Sequence, residues 1–549
     1  MDLNLFNLRK QFIDPSSIND GLAEFQSLLQ LYFTEVGNLG SLSTPVLGTL
    51  KPHGYGKVQQ QRIPDIGLSK ETVIGKVLEF INGSIEWAHP LNIVAPAPPP
   101  TILSMFANLV CNHLGPNLLW DRFSQEFARA ELELASMIAD LVGYDPSCSF
   151  GFSTFGGAGT ILYGIKIGME NARVSLKKDI ANNKMRLFLS EDAHFSNFVA
   201  ANWLGLEQDS IIKVKRKSHH LDYEDLSRKI REAVEQGCAI ASINAEAGAT
   251  FDFGIDDIGI IAEIRDGLVK DFSLPYRPHI HVDAVIGWIY SVFADYNLDE
   301  NPLKLSNLLL DDITSITHKI RTLRNADSIG IDFHKLGYSP LTSSLFLVKN
   351  SQDLNLISRT DIPLPKIPPT DFGTYLPGAF TLECTRPATG IMSAYVNCLN
   401  FGKQGFQLLL AHNLDIARYF KEKLNQLPFC EIINSDCPGP AVLIRFYPSS
   451  DISGKKRFMD ELLFTSSKQI VETNNFNKDM LNQVLDPHLS PASGYLSLAD
   501  PYKVVYGKES GDGTPIVAIK SYMLSPFTEK THIDNTIERI NLAYNVLIS

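Results

Sequence analysis

The stretch DSIGIDFHKLGYSP, Asp327 to Pro340, governs how the rest of the chain is interpreted. A strand-like apolar run ends in His334 and Lys335, and glycine and proline follow shortly afterwards. A lysine at the end of a buried strand costs free energy unless another group uses it. Desolvation lowers the pKa of a lysine and makes its amine nucleophilic, which is what imine formation needs. The competing interpretation is a surface lysine at a strand end.

A second stretch, HVDAVIGW from His281 to Trp288, places an aspartate where another apolar strand ends. In an open α/β sheet the carboxyl ends of the strands line the ligand crevice. A buried Asp283 there must face a cation, and a protonated ring nitrogen would serve as one. The alternative is that Asp283 caps the next turn.

Two further segments fit the same crevice. GFSTFGGAGTILYGIKIG, Gly151 to Gly168, is a glycine-rich turn that leads into a helix, whose first amides can bind phosphate. It is neither GxGxxG nor GxxxxGK[ST], so nucleotide binding is weakly supported. In LSEDAHFSN, His194 follows a strand and can stack on an aromatic ring or transfer protons. A plain turn and a structural histidine are the alternatives.

Strand and helix patterns alternate between about residues 151 and 350. This alternation predicts an α/β fold with a parallel sheet covered by helices. One predicted helix runs from Asp256 to Gly267, with Asp256 as its cap. The predicted strands are MRLFLS (185–190), AIASINA (239–245), HIHVDAV (279–285) and SSLFLVKN (343–350).

We expect three parts: an N-terminal helical and extended segment (1–115), a large α/β domain (116–393) and a small α+β domain (394–549). The segment from Ser351 to Gly378 has little periodicity, and a loop of that length is often functional. Loop composition also marks residues 40–64. The elements predicted for the last part are helices at 394–424, 455–472 and 532–548, and strands at 430–435, 441–448 and 516–524.

The whole-chain composition narrows the classes of function. The 549 residues allow two or three domains, and a net charge of −12 argues against a nucleic-acid partner. No apolar window has transmembrane length, and MDLNLFNLRKQF has no signal-peptide core. The seven cysteines form no CxxC pair, so neither a metal site nor a disulfide framework is indicated. We expect a cytoplasmic enzyme with no membrane partner.

Taken together, these motifs resemble the group II pyridoxal-phosphate-dependent decarboxylases, which include glutamate, aromatic amino acid and bacterial tyrosine decarboxylases. The resemblance covers roughly Pro90 to Ser549. It implies a fold-type I, transferase-like architecture: a mostly parallel seven-stranded sheet flanked by helices, with a small α+β domain. It also implies a homodimer. The segments that carry it are HVDA, DFHK, STFGGAGT, AGATFDFGIDD and FTLECTRPATG.

The resemblance implies a role for each matching residue. Lys335 holds pyridoxal 5′-phosphate as a Schiff base, Asp283 pairs with the pyridine nitrogen, and His194 stacks on the ring. The other cofactor contacts that it implies are Gly157, Ala158 and His334 near the phosphate, Thr250 near the phenolic oxygen or the substrate, and Val285 on the ring face opposite His194.

The resemblance also implies residues for the substrate. Arg386 matches a position near the substrate carboxylate. In such enzymes a tyrosine from a mobile loop protonates the substrate carbon, and Tyr375 is the only tyrosine in the segment 351–378. Trp288 replaces a small residue after HVDA and would narrow the substrate pocket. Trp288 and the Arg386 segment favour an aromatic substrate.

The implied reaction is decarboxylation of an L-amino acid to its amine and carbon dioxide through a quinonoid intermediate. Departures from the family pattern leave alternatives open, because Ala158 replaces a hydroxyl residue, Ala249 replaces threonine and Val285 replaces alanine. One alternative is an aldehyde synthase or a C–C lyase of the same family. Another is a pseudoenzyme that binds the cofactor without turnover.

Overall fold

The computed structural model describes most of the 549-residue chain. The described residues are 9, 11–13, 15–49, 54–177, 180–359, 361, 366–449, 451–464, 466–486, 489–506 and 513–549, without the side chains of Asp20 and Lys57. Residues 1–8, which include most of the N-terminal stretch MDLNLFNLRKQF, lie outside this description. So do residues 50–53, 360 and 362–365, which belong to the two predicted loops.

A seven-stranded sheet forms the centre of the large domain. Its strands are β1 Phe150–Ser153, β2 Met185–Ser190, β3 Ile211–Val214, β6 Ala239–Glu246, β7 Ile280–Asp283, β8 Ser328–Asp332 and β9 Ser344–Val348. They lie in the order β1-β9-β8-β7-β6-β2-β3, where β2, β3, β6, β7 and β8 are mutually parallel and β9 runs antiparallel to β8 and β1. The predicted mostly parallel seven-stranded sheet is therefore confirmed.

Helices flank this sheet, which explains why most of its strand residues are buried. Every residue of β6 is buried, as expected for a strand with no solvent-facing side. A two-stranded ribbon, β4 (Arg216–Lys217) and β5 (His220–Leu221), lies after β3. The helices of this part are Asp121–Ser124, Glu126–Leu141, Gly157–Leu176, Ser196–Trp203, Tyr223–Glu235, Ile258–Phe272 and Asn307–Ile320.

One predicted cap is wrong by a single residue. The helix Ile258–Phe272 is capped by Asp257, whose side chain accepts from the amides of Gly259 and Ile260. Asp256 lies one residue too early to reach them. Its carboxylate instead accepts from the amides of Leu221 and Glu246, so it fastens the β5 ribbon to the end of β6.

The small domain contains a four-stranded antiparallel sheet, with strands β10 Cys430–Ile432, β11 Ala441–Phe446, β12 Ser497–Tyr506 and β13 Gly513–Tyr522. These strands lie in the order β10-β11-β13-β12. The predicted helix 455–472 is wrong. Two helices, Gly454–Leu462 and Ser467–Leu485, are separated at Phe464, whose φ of 51° is not helical.

Other helices frame the two sheets. The helix Thr389–Leu424 is interrupted at Gly402, and it begins before the predicted domain boundary at residue 394, which stays a prediction. The chain ends with Lys530–Ile548, close to the predicted helix. The N-terminal helices are Ile18–Leu39, Tyr55–Val58, Lys70–Glu79 and Ile102–Leu114. None of the helices in the described part is both long and apolar enough to cross a bilayer.

Candidate active site

Three acidic residues mark the carboxyl ends of three neighbouring strands. Glu246 ends β6, Asp283 ends β7 and Asp332 ends β8, and Glu246 is the register partner of Asp283. All three side chains are buried. Because these strands are parallel, their ends meet at one edge of the sheet, and Lys335 follows three residues after β8.

Lys335 reaches back to the end of its own strand. Its Nζ lies 3.2 Å from Asp332 Oδ2, so the ammonium has a buried carboxylate as its counter-ion. Asp332 also lies 3.4 Å from His334 Nε2 and accepts a hydrogen bond from Ser344. Asp332 was not among the predicted site residues, although it stands in the quoted DFHK motif, because roles within that motif were predicted only for His334 and Lys335.

Asp283 is a buried carboxylate that lacks a strong partner. Burial raises its pKa to about 6; the charge of Lys335 opposes that shift and the charge of Asp332 adds to it. Its hydrogen bond from the Val285 amide is long, at 3.3 Å. A cation placed against this carboxylate would relieve its desolvation cost. The protonated nitrogen of a pyridine ring fits that requirement.

His194 lies in the same cleft as a neutral ring. Burial lowers its pKa to about 4, and the charges of Lys335 and Lys520 lower it further, whereas Asp332 opposes the shift. Its Nδ1 lies 2.7 Å from the Ser196 hydroxyl, which fixes the ring orientation. A neutral imidazole in a fixed orientation suits stacking on a flat ligand ring.

The glycine-rich turn provides an anion cradle beside these groups. Gly156 has a φ of 103°, and the helix Gly157–Leu176 starts immediately after it. A Cβ on Gly157 would lie 2.9 Å from Val285 Cγ1 and 3.1 Å from Asp332 Oδ2, so only glycine leaves the helix start open. The first amides of a helix bind phosphate well.

A cavity of about 150 Å³ adjoins this turn. Its lining includes two charged residues, Glu383 and Arg386, and is rich in hydroxyl groups, from Ser153, Thr154, Thr342, Ser343, Ser344, Thr385 and Thr389. Hydroxyl donors beside a helix start are a suitable environment for a phosphate. Together with the unmatched Asp283 and the Lys335 amine, they fit pyridoxal phosphate. The hydroxyl of Thr160 donates to the Gly157 carbonyl at 2.7 Å and so braces the turn itself.

A second cation enters the cleft from the small domain. Lys520, on β13, is half-buried, and its Nζ lies 5.5 Å from the centre of the Phe251 ring. Burial lowers its pKa, and the charge of Lys335 lowers it further. Next to Phe251, the Thr250 carbonyl accepts from the Tyr522 hydroxyl at 2.8 Å, which ties this segment to β13. No local sequence pattern marks Lys520, because the small domain brings it to the cleft.

The residues predicted to contact the substrate lie deeper than expected. Arg386 is buried, and its guanidinium pairs with Glu131 at 2.6 Å and donates to the Leu118 carbonyl at 2.7 Å. Its charge is therefore already matched within the protein. Trp288 is completely buried, and its Nε1 donates to the Asp332 carbonyl at 3.2 Å. The substrate roles of both residues stay predictions.

Tyr375 lies in an aromatic cluster. Its ring centre is 6.5 Å from that of Phe150, and its hydroxyl has no hydrogen-bond partner among the described residues. The Tyr375 amide donates to the buried carboxylate of Asp121, which also accepts from the Gly373 amide. The role of Tyr375 as a proton donor stays a prediction. In the part of the chain that is described, no His, Cys, Asp and Glu side chains are grouped to hold a metal.

Known protein sequences resemble part of this chain. Residues 52–290 match the pyridoxal-dependent decarboxylase conserved domain. The chain is 23% identical over 372 residues to the aspartate 1-decarboxylase of Aliivibrio fischeri, an alignment that covers 67% of this chain and 59% of that protein. It is 24% identical over 261 residues to the L-tyrosine decarboxylase of Enterococcus faecium, covering 43% of this chain and 40% of that protein. The chain thus spans about half the length of these relatives.

Solved structures share the fold over nearly the whole chain. Oryza sativa TDC with PLP and tryptamine superposes with a TM-score of 0.74 at 14% identity, covering 98% of this chain and 99% of that one. Mouse CSAD superposes with a TM-score of 0.72 at 18% identity, covering 95% and 99%. The predicted fold class is therefore confirmed.

Proposed function

We propose that the chain, whose residues 52–290 match the pyridoxal-dependent decarboxylase conserved domain, decarboxylates an L-amino acid with pyridoxal 5′-phosphate attached to Lys335. The observation that carries this proposal is the convergence on one sheet edge of the Lys335 amine, the unmatched Asp283 carboxylate and the open start of the helix Gly157–Leu176. The amine can react with the cofactor aldehyde, the carboxylate can pair with the ring nitrogen, and the helix amides can bind the phosphate.

The bound cofactor supplies an electron sink for the pair of electrons left when the Cα–carboxylate bond breaks. The residues of the chain hold and orient the reacting groups. Asp283 would hold a positive charge at the ring nitrogen, because its ionised form is favoured once a cation shares its buried site. His194 would cover one ring face, and Val285, which is buried beside Gly157, would cover the other. Lys335 would hold the cofactor through its amine.

Lys520 supports an amino acid with an acidic side chain as the substrate. It is a cation in the cleft, and the charged group that most affects its pKa is another cation, Lys335. A substrate carboxylate would give it the anionic partner that the cleft does not provide. The name of the Aliivibrio fischeri relative is that of an aspartate decarboxylase. The burial of Trp288 removes one reason for expecting an aromatic substrate.

The assembly that we propose is a cytoplasmic homodimer. Several large apolar side chains of the helix Ile102–Leu114 are exposed, with Ile102 at 84%, Phe106 at 60% and Leu114 at 61%. A contiguous apolar face of this kind marks an interface. Sedimentation should give the dimer mass for the wild type, and Phe106→Glu should shift the equilibrium toward monomer.

The cofactor assignment is tested by the visible spectrum of the purified protein with added pyridoxal phosphate. The wild type should turn yellow, and borohydride should remove the band and leave the pyridoxyl group on Lys335. Lys335→Ala should show neither change. A wild-type protein that pyridoxal phosphate does not colour would contradict the proposal and favour a pseudoenzyme.

The substrate assignment is tested by carbon dioxide release from a panel of L-amino acids. Aspartate or glutamate should be preferred, and Lys520→Met should raise KM for the acidic substrate about tenfold or more, since a charged hydrogen bond contributes about 1.5–3 kcal/mol. Lys520→Arg should retain most of the affinity. Preference for an aromatic amino acid, unchanged in Lys520→Met, would contradict this assignment. Release of ammonia and peroxide would indicate an aldehyde synthase.

A further inference from the structure

A polar cavity of about 210 Å³ lies where the helix Asn307–Ile320 of the large domain meets the loop between β10 and β11. The helix Thr389–Leu424 forms its third wall, through Leu414, Arg418 and Lys421. Among the described residues, none lines both this cavity and the one beside the glycine-rich turn. Pockets for drug-sized ligands measure about 300–1,000 Å³, so this cavity suits only a smaller molecule.

The wall formed by the loop between β10 and β11 is held in place by buried contacts. Asn434, which is fully buried, donates to the carbonyls of Asp252 and Ala441 and accepts from an amide of β11. Gly439 lies so close to Phe253 that a Cβ there would be 2.3 Å from the Phe253 ring. The position of this wall is therefore fixed by the fold itself.

Lys421 is a cation of the cavity wall that has no acidic partner. Its Nζ donates to the carbonyls of Asn434 and Cys437, both at 2.8 Å, and it forms no ion pair with any described residue. A lysine ammonium has three donors, so one is left after these two hydrogen bonds. Burial lowers the pKa of Lys421, and the acidic groups around it offset only part of that effect. An anionic group in the cavity would supply the missing partner.

Arg418 lies three residues before Lys421, on the same face of the helix. Its Nη1 is 3.0 Å from Asp312, and its Nε is 3.4 Å from Glu422. That Nε is buried, yet it has no hydrogen bond of good geometry within the described part of the chain. One helix therefore presents two cations to the cavity, and each has a donor left over.

Two carboxylates lie on the other two walls. Asp312 uses one oxygen for Arg418, and Asp436 uses one oxygen for His219, so each has a second oxygen outside these ion pairs. Burial raises the pKa of Asp312 even though Arg418 is close, which indicates that its charge is only partly compensated. An anion alone would face these two acids, and a cation alone would face the two basic side chains. A molecule that carries both charges is complementary to all three walls.

We propose that this cavity is a second binding site, which takes a small zwitterionic amino acid. The carboxylate of the ligand accepts hydrogen bonds from Lys421 and Arg418, and its ammonium faces Asp312 and Asp436. Because such a ligand contacts both domains, its binding also stabilises their junction. The site goes beyond the proposed function and does not depend on it, since no cofactor contact enters the argument.

The experiment is a calorimetric titration of the full-length protein with N,N-dimethylglycine. This zwitterion has a tertiary amine, so it cannot form an imine with pyridoxal phosphate. Two isosteres are compared with it: 3-methylbutanoate keeps only the carboxylate, and N,N-dimethylglycinamide keeps only the ammonium. Dimethylglycine should bind once per chain, and each isostere should bind about tenfold more weakly or worse, because it leaves a charged group of the cavity without its hydrogen bond.

The variants locate this binding. Lys421→Met should weaken dimethylglycine binding about tenfold or more. Lys423→Met is the matched control, because Lys423 belongs to the same helix but pairs with Asp534 at 3.0 Å and does not line the cavity. Asp436→Asn serves if Lys421→Met does not fold, since Asp436 is 69% exposed. It should reduce the preference for dimethylglycine over 3-methylbutanoate about two- to fivefold, as expected for an exposed charge.

Four results would overturn the proposal. Equal affinity for dimethylglycine and 3-methylbutanoate would indicate a simple anion site, and an unchanged preference in Asp436→Asn would remove the ammonium from it. Absence of saturable dimethylglycine binding would leave no site. Binding that Lys520→Met abolishes and Lys421→Met leaves unchanged would place the zwitterion in the cleft. None of these results bears on the proposed function, which is judged by the spectrum with pyridoxal phosphate.

Discussion

Two buried aspartates of this chain have pKa values that move in opposite directions. Burial raises the pKa of Asp283 to about 6, and the Lys335 charge offsets only part of that effect. Burial also acts on Asp252, but the Arg216 charge and the His219 hydrogen bond outweigh it and bring its pKa to about 2. The difference is one of partners, since both carboxylates are removed from water.

These two residues belong to two clusters of charge. The cleft cluster consists of Lys335, Asp332, Asp283, His194 and Lys520. The seam cluster consists of Arg216, Asp192, Asp252, His219 and Asp436, and it joins the large domain to the loop before β11.

The charges of the seam cluster are satisfied within the protein. Arg216 pairs with Asp192 at 2.9 Å and with Asp252 at 3.3 Å, and His219 lies 2.8 Å from Asp252 and 2.9 Å from Asp436. In the cleft cluster, neither Asp283 nor Lys520 forms an ion pair with any of the described residues. A buried charge without an oppositely charged partner lowers the stability of the fold and is available to bind a ligand. A buried charge that is paired within the protein instead holds two parts of the fold together.

The largest effect that tests this contrast is expected from Asp283→Asn. We expect kcat to fall by about 10²–10³-fold, because a preorganised charge in a buried site is lost. Thermal stability should be retained or increased, since the desolvated carboxylate disappears. The measurements are initial rates of carbon dioxide release and the thermal unfolding midpoint of the cofactor-free protein.

Asp256→Asn is the matched control for that change. Asp256 is also a buried acid at this edge of the sheet, but it accepts backbone amides and belongs to neither cluster. It should lose stability and keep its rate per folded molecule. If Asp283→Asn kept full activity, Asp283 would not be a catalytic residue. The interpretation that the unpaired charges of the cleft cluster serve a ligand would then be contradicted.

The next effect in size is expected from Arg216→Met in the seam cluster. The side chain of Arg216 is nearly buried, so its loss leaves Asp192 and Asp252 without their cation. Breaking a buried pair in this way costs about 3–5 kcal/mol. The free energy of unfolding from urea titration should fall by that amount, while cofactor binding per folded molecule should stay unchanged.

Arg228→Met is the control for an exposed site. Arg228 also contacts two carboxylates, Asp225 and Glu232, but its side chain is 54% exposed. Exposed pairs contribute about 0–1 kcal/mol, so little stability should be lost. Equal losses for the two arginine variants would show that the seam cluster does not fasten the domains.

The residues at the strand ends of the cleft could be predicted from the sequence, whereas those that other parts of the fold bring to the cleft could not. Asp283 and Lys335 are recognisable because each follows an apolar strand, and the parallel sheet then brings the strand ends together. Lys520 was missed because only the packing of the second sheet brings it near Lys335. Arg386 was predicted to contact the substrate, and that role stays a prediction; its pairing with the buried Glu131 carboxylate of a distant helix is a contact that the sequence does not reveal.

The remaining misses have local physical causes. Strand β12 contains Asp500 and Pro501, residue types that are rare in strands, so its pattern is weak. The helix predicted over 455–472 is broken at Phe464, which has a positive φ. The break was not predicted because a positive φ at an aromatic residue has no signature in the sequence. Contacts between separate sheets and single non-helical residues are set by the whole fold rather than by local periodicity.

The smallest effect is expected from His219→Gln, and it depends on pH. Although burial disfavours the charged ring, Asp252 and then Asp436 raise the pKa of His219 above its ordinary value of 6.5. The stabilisation is thus fully present below pH 6.5 and is lost as the pH rises through the higher pKa of the folded state. Since Asp436 is largely exposed, the extra loss of unfolding free energy at pH 5.5 compared with pH 8.5 should be only about 1 kcal/mol.

Urea unfolding of the wild type and of His219→Gln at the two pH values measures this difference. His318→Gln is the control, because His318 is an exposed residue near the end of the helix Asn307–Ile320 and lies in no ion pair among the described residues. It should show no pH-dependent loss. A loss for His219→Gln that was equal at both pH values would mean that the ring acts as a neutral hydrogen-bonding group. Arg216 would then be the single cation that neutralises the carboxylates described in the seam cluster, instead of one of two.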